Sequence, residues 1–114
     1  MRFTDEQLLN AAIRAYRNSL VDAGISETEQ RVIIVIEDKT YNRFQITATY
    51  YSEFYHCDID IKAHMQIFYT EYRKRIIIDI YSTLGDQDMY LYEINDETGD
   101  IIDADTGEIR ATIK

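Results

Sequence analysis

FYHCDIDIKAHMQIFYTEY, residues 54–72, is the stretch whose reading decides the fold. From position 57 its odd residues run Cys, Ile, Ile, Ala, Met, Ile, Tyr. From position 56 its even residues run His, Asp, Asp, Lys, His, Gln, Phe, Thr. A period of two held this long belongs to extended chain, because only a strand sends successive side chains to opposite faces. The stretch predicts one long β-strand with an apolar face and a wet one, and that wet face needs no special chemistry to explain it.

The flanks read as more strands. RKRIIIDIYS (73–82) is the next, joined by a tight connection near 71–75. LGDQ (84–87) supplies a turn and DMYLYEI (88–94) a further strand. On the other side QRVIIVIE (30–37) is nearly all apolar, which predicts a central strand. EDKTYN (37–42) turns the chain into RFQITATYYS (43–52), where Phe44, Ile46, Ala48 and Tyr50 share a face and complete a hairpin. Composition agrees: 18 Ile against 5 Leu, ten Tyr and no Pro favour pleated surfaces with few forced breaks.

The one helix announces itself at its start. Thr4 caps, Gln7 three residues on completes a capping box, and Phe3 and Leu8 hold the staple positions. Leu8, Ala12, Ala15, Tyr16, Leu20 and Ala23 form an apolar stripe. Gly24 fits the C′ position, with Ile25 reaching back to Leu20. The pattern predicts a helix over 5–23. One helix and then strands give an α+β fold in a single domain, residues 1–114: an N-terminal helix packed on a curved antiparallel sheet of five to six strands. By element order alone this resembles cystatin-like or nuclear-transport-factor-like arrangements, a likeness that carries no function.

Charge is distributed unevenly. Residues 1–85 hold 12 acidic and 10 basic side chains, whereas residues 86–114 hold 9 acidic and 2 basic. A net −9 opposes direct binding to nucleic acid, which needs its phosphates neutralised, and opposes anionic membranes. It suits a basic protein surface. No apolar run approaches a membrane span, the N-terminus has no signal-peptide core, and Cys57 is the one cysteine, so a cytoplasmic protein is expected.

The acidic end repeats a phrase, Thr98-Gly99-Asp100-Ile101 and Thr106-Gly107-Glu108-Ile109. Asn or Asp ahead of each Thr-Gly, with Gly free to take positive φ, predicts two turns leading into short terminal strands. The x-Thr-Gly-Glu-Ile phrase resembles, over about a dozen residues, the tails of PepSY-like modules. Those modules are largely exported, and the assignment here does not rest on that likeness.

No metal or cofactor is expected. An EF-hand loop needs Gly at position 6 and a Glu at position 12. Counting from Asp103 puts Gly at 5 and Lys114 at 12, and counting from Asp96 puts Ile101 at 6. His56 and His64 would stand roughly 26 Å apart on one strand. The chain has no Gly-rich phosphate loop, HExxH or GxSxG, so an enzyme is the less favoured reading.

Two surfaces remain. The first is partner-binding: Tyr90, Tyr92, Glu93, Asp96, Glu97, Asp100, Asp103, Asp105 and Glu108. Tyrosine beside carboxylate suits Arg and Lys, and carboxylates spaced along a strand can mimic phosphates. The function expected from it is an inhibitor of the phage counter-defence or antidote kind, occluding the basic surface of a partner such as a nucleic-acid enzyme. The alternative is a small-molecule or enzymatic cup between helix and sheet, with His64, Asp79 and Tyr81 lining it. A structural subunit, or a homodimer, pairing through a sheet edge is the third expectation.

Overall fold

The computed structural model describes residues 3–72, 74–84 and 88–114. Helix α1 (Asp5–Asp22) begins at the expected box: Thr4 Oγ1 accepts from Gln7 N at 3.1 Å, and Gln7 Oε1 accepts from Thr4 N at 2.9 Å. It ends in a Schellman motif. Ile25 N donates to Leu20 O at 3.0 Å, Gly24 N donates to Val21 O at 2.9 Å, and Gly24 takes φ +97°. The buried stripe is Leu8, Ala11, Ala12, Ala15, Tyr16, Ser19 and Leu20. Ala23 falls out of the expected stripe because it is the C-cap, where the backbone has left helical geometry.

Seven strands follow, against the five to six expected: β1 (Arg31–Asp38), β2 (Arg43–Ser52), β3 (Cys57–Thr70), β4 (Arg75–Ser82), β5 (Asp88–Ile94), β6 (Asp100–Asp103) and β7 (Ile109–Thr112). They form one antiparallel sheet in chain order, each strand beside its sequence neighbours. The two four-residue terminal strands join this same sheet, which accounts for the higher number. The 84–87 turn lies mostly outside the described residues. The longest dimension, 45 Å, matches β3, whose 14 residues rise about 3.3 Å each.

Cross-strand rows build the core under the helix. Phe44, Met65, Ile80 and Tyr90 form one row. Ile67, Ile78, Tyr92 and Asp103 form the next, and Ile76, Ile94, Ile101 and Ala111 another. Ala11, Ala12 and Ala15 are fully buried, so the helix backbone approaches these rows closely. The helix seats toward the β6–β7 end, where Arg14 Nη2 donates to Thr112 O at 3.0 Å and Gln7 Nε2 to Lys114 O at 3.3 Å.

One expectation is overturned by position. β1 is an edge strand, the first in the order, with only β2 beside it among the described residues. An all-apolar run marks a strand that could be buried on both faces, but a meander puts its first strand at the rim whatever its composition. Among the described residues no helix is long and apolar enough to cross a membrane.

Candidate functional site

The repeated phrase folds as the same turn twice. Asn95 Oδ1 accepts from Glu97 N at 3.0 Å and Thr98 N at 3.4 Å, and Gly99 N closes on Asn95 O at 2.7 Å. Eight residues on, Asp103 Oδ1 accepts from Asp105 N at 2.9 Å and Thr106 N at 3.3 Å, and Gly107 N closes on Asp103 O at 2.8 Å. Thr98 and Thr106 hydroxyls accept from the N–H two residues later, 3.2 Å in each copy. Gly99 and Gly107 take φ +77° and +76°, a conformation in which a Cβ is strained. The side-chain caps and glycines set both turns without any metal. The copies sit at opposite ends of β6, about 13 Å apart at about 3.3 Å per residue.

The residues expected to meet a partner divide. Asp96, Glu97, Asp105 and Glu108 are exposed on the turns, and Asp100 and Glu93 are half-buried. Glu93 Oε2 takes Arg75 Nη1 at 2.7 Å, and Asp100 accepts from Thr98 and Thr112 hydroxyls at 2.9 Å each. Tyr92 and Asp103 do not belong to a contact surface. Tyr92 is fully buried, its hydroxyl 2.6 Å from Ser19 Oγ, and burial raises its phenol well above the usual range. Its parity with Ile94 places it on the core side. Tyr90 shares that side, half-buried and edge-on to Tyr16 at 5.8 Å. Burial, helped by Tyr90, pushes the Tyr16 phenol up to about 12. The carboxylates also do not follow one strand; they cluster on the two turns.

Asp103 is held inside by Arg110. Arg110 is buried and lies 3.0 Å from Asp22, 3.1 Å from Glu108 and 3.5 Å from Asp103, with Asn18 Oδ1 at 3.2 Å. Burial works to lower its pKa, but the Asp22 hydrogen bond and the charges of Asp22, Glu108 and Asp103 leave it raised. Beside it, between α1 and β7, a groove of about 490 Å³ is lined by Arg14, Arg17, Val21 and Glu27 among others. Arg14 and Arg17 both donate to backbone carbonyls there.

His64, Asp79 and Tyr81 do come together, but on the far face of the sheet from the helix. Their neighbours in sequence, Met65, Ile78 and Ile80, point to the core, so alternation turns these three outward. His64 and Tyr81 are register partners with rings stacked at 5.3 Å, and His64 Nδ1 lies 2.8 Å from Glu37 Oε2. Among the described residues Asp79 makes no ion pair with arginine or lysine. Burial first, then the charge and side-chain hydrogen bond of Asp88, push its carboxyl up to about 6. This is an open sheet face, and the space between helix and sheet is filled by the core. Among the described residues no three His, Cys, Asp or Glu gather as a metal site.

Sequence reading missed Glu37, Asp88 and Arg110. Each acts through a cross-strand or helix–strand contact, which only the register reveals. The second Asx-x-x-Thr-Gly leads to Arg110 where the first leads to Ile102, and that difference was the local hint for Arg110. No protein-family model matches the chain, and no curated protein or solved structure resembles it significantly, so a functional reading stands on this geometry alone.

Proposed function

We propose that the chain is a non-catalytic binding protein that covers a basic surface of a partner, of the kind nucleic-acid enzymes carry, and inhibits by occlusion. One observation carries the reading. Asp96, Glu97, Asp105 and Glu108 are exposed on two turns whose backbones are tied by the same hydrogen bonds. Residues 86–114 contain two basic side chains, and the arginine is buried against its own carboxylates. These carboxylates are solvent-exposed on a preorganised frame, where charge steers encounter and fixes orientation. Tyr92 and Asp103 take no part.

The test uses the whole chain, immobilised, to capture proteins from native lysate. It is run beside a variant carrying Asp96→Asn, Glu97→Gln, Asp105→Asn and Glu108→Gln. Basic proteins should be retained by the parent at about 50 mM salt and released toward about 500 mM, where screening is strong. The variant should lose them while circular dichroism stays unchanged. Equal capture by both chains would reduce the acidic turns to a solubility device. Capture that survives the variant but fails on His64→Ala or Asp79→Asn would move the site to the outer sheet face.

A further inference from the structure

We propose that β1 is the seam of a symmetric dimer, in which the β1 strands of two copies pair antiparallel about Ile34 and join their sheets into one. The surface and its occupant both follow from β1 itself.

Among the described residues β1 leaves one side without a strand partner, over eight residues. Side chains that ought to be covered are not: Ile33 is 62% exposed, Val35 55% and Ile36 59%. Ile33 and Val35 lie on the outer face and Ile36 on the helix side, so apolar surface flanks the free edge above and below. Proteins blunt such edges with Lys, Pro, short strands or covering elements. The other rim of this sheet does so. β7 is four residues long, α1 packs on it, and Arg14 takes the Thr112 carbonyl. Residues 31–38 contain neither Lys nor Pro. The bulge between Ile36 and Asp38 bends only the strand's last residues.

The order of residues in β1 says what covers it. Arg31-Val32-Ile33-Ile34-Val35-Ile36-Glu37 is complementary to itself when reversed. With Ile34 opposite Ile34, Ile33 meets Val35 of the second copy, Val32 meets Ile36, and Arg31 meets Glu37. Each pair joins residues of the same parity, so outer faces meet outer faces; from Val32 to Ile36 the outward-pointing N–H and C=O groups find each other, and Glu37, at the bulge, meets Arg31 through its outer-face side chain. A slip of two residues sets Glu37 against Ile33 or Arg31 against Val35. A parallel pairing sets Arg31 against Arg31. Only the reading about Ile34 matches both charge and apolar surface.

Flanking pairs extend the match. Arg31 Nη2 lies 2.8 Å from Asp58 Oδ2, and Glu37 Oε2 lies 2.8 Å from His64 Nδ1, all on the outer face. At each end of the seam the order becomes Asp58, Arg31, Glu37 of the second copy, His64 of the second copy. Carboxylates and bases alternate across the junction. The arrangement is isologous and closes at two copies, with no further β1 edge left to extend it.

Sedimentation velocity across about 1 μM to about 1 mM tests this, a span that covers interactions from micromolar to millimolar Kd. The wild-type chain should dimerise reversibly within it. Arg31→Glu, or Glu37→Arg, sets like charges at both ends of the seam and should weaken the dimer about tenfold or more. An equimolar mixture of the two single variants should recover wild-type association as a heterodimer. The double variant should recover it alone. Two misfolded chains would not restore each other, so recovery also answers any doubt about folding. A wild type that stays monomeric throughout overturns the proposal, as do single variants that dimerise like wild type. Weakening without recovery in the mixture would assign the edge to some other strand, and likewise overturns it. The variant neutralised at the acidic turns should dimerise as wild type, whatever it captures from lysate.

Discussion

Tyr16 and Tyr92 both carry a phenol into the core, and their hydroxyls are treated differently. The Tyr92 hydroxyl meets Ser19 Oγ at 2.6 Å, whereas the buried Tyr16 hydroxyl has no hydrogen-bond partner among the described residues. A net hydrogen bond is worth about 1 kcal/mol, and an unmade one costs its desolvation. Tyr92→Phe should therefore lower stability by about 1 kcal/mol, and Tyr16→Phe should leave it unchanged or raise it, read as shifts of the urea midpoint. Asp79 gives a signed pH effect. Its folded carboxyl, pushed up to about 6, holds a proton that the unfolded chain releases near about 3.9. The native state binds more protons between those values, so this group's contribution falls as pH rises through about 6. Asp79→Asn should stabilise the protein at pH 8 and do nothing at pH 4. The carboxyl is partly open to solvent, and screening keeps the gain to about 1 kcal/mol. Burial is the larger cause of the raised value; only the part due to Asp88 could not be read from RIIIDIY, because Asp88 arrives from the next strand.

Between elements, Arg110 fastens β7 to the helix and to the last turn. Removing one partner of a buried pair leaves the other charged and uncompensated, at about 3 kcal/mol or more. Arg110→Met should cost about that in equilibrium unfolding. Adding Asp103→Asn should return part of it, because the orphaned carboxylate goes, and the shortfall from additivity measures their coupling. The elements themselves were legible. Period two marked β2 and β3, the capping box marked α1, and the two Thr-Gly phrases marked their turns, since all three signals are local. The faces were less so. Tyr90 and Tyr92 share a side, as alternation requires, but which side faces the helix depends on Ile94 and its row. The rank of β1 in the sheet was not legible at all. Its apolar run describes what the strand could bury, and the chain's connectivity decides what it is given.

For the whole molecule, the local signals summed to the right class but not to the arrangement of charge. Nine acidic residues in the last 29 read as one face. The fold buries Asp103, ties Glu93 to Arg75, and distributes Asp96, Glu97, Asp105 and Glu108 between two turns at opposite ends of β6. That distribution needs a register, which a net charge does not contain. The same topology bears on how the protein is made. Every strand pairs with a sequence neighbour, so the sheet can grow hairpin by hairpin as the chain lengthens. The helix cannot keep pace. Its seat includes Tyr92, the Thr112 carbonyl and the Lys114 carbonyl, all synthesised long after it. On the ribosome α1 emerges before every strand it rests on and waits for β5 to β7. Through that interval the stripe of Leu8, Tyr16 and Leu20 stays uncovered, and translation itself sets how long a chaperone has to find it.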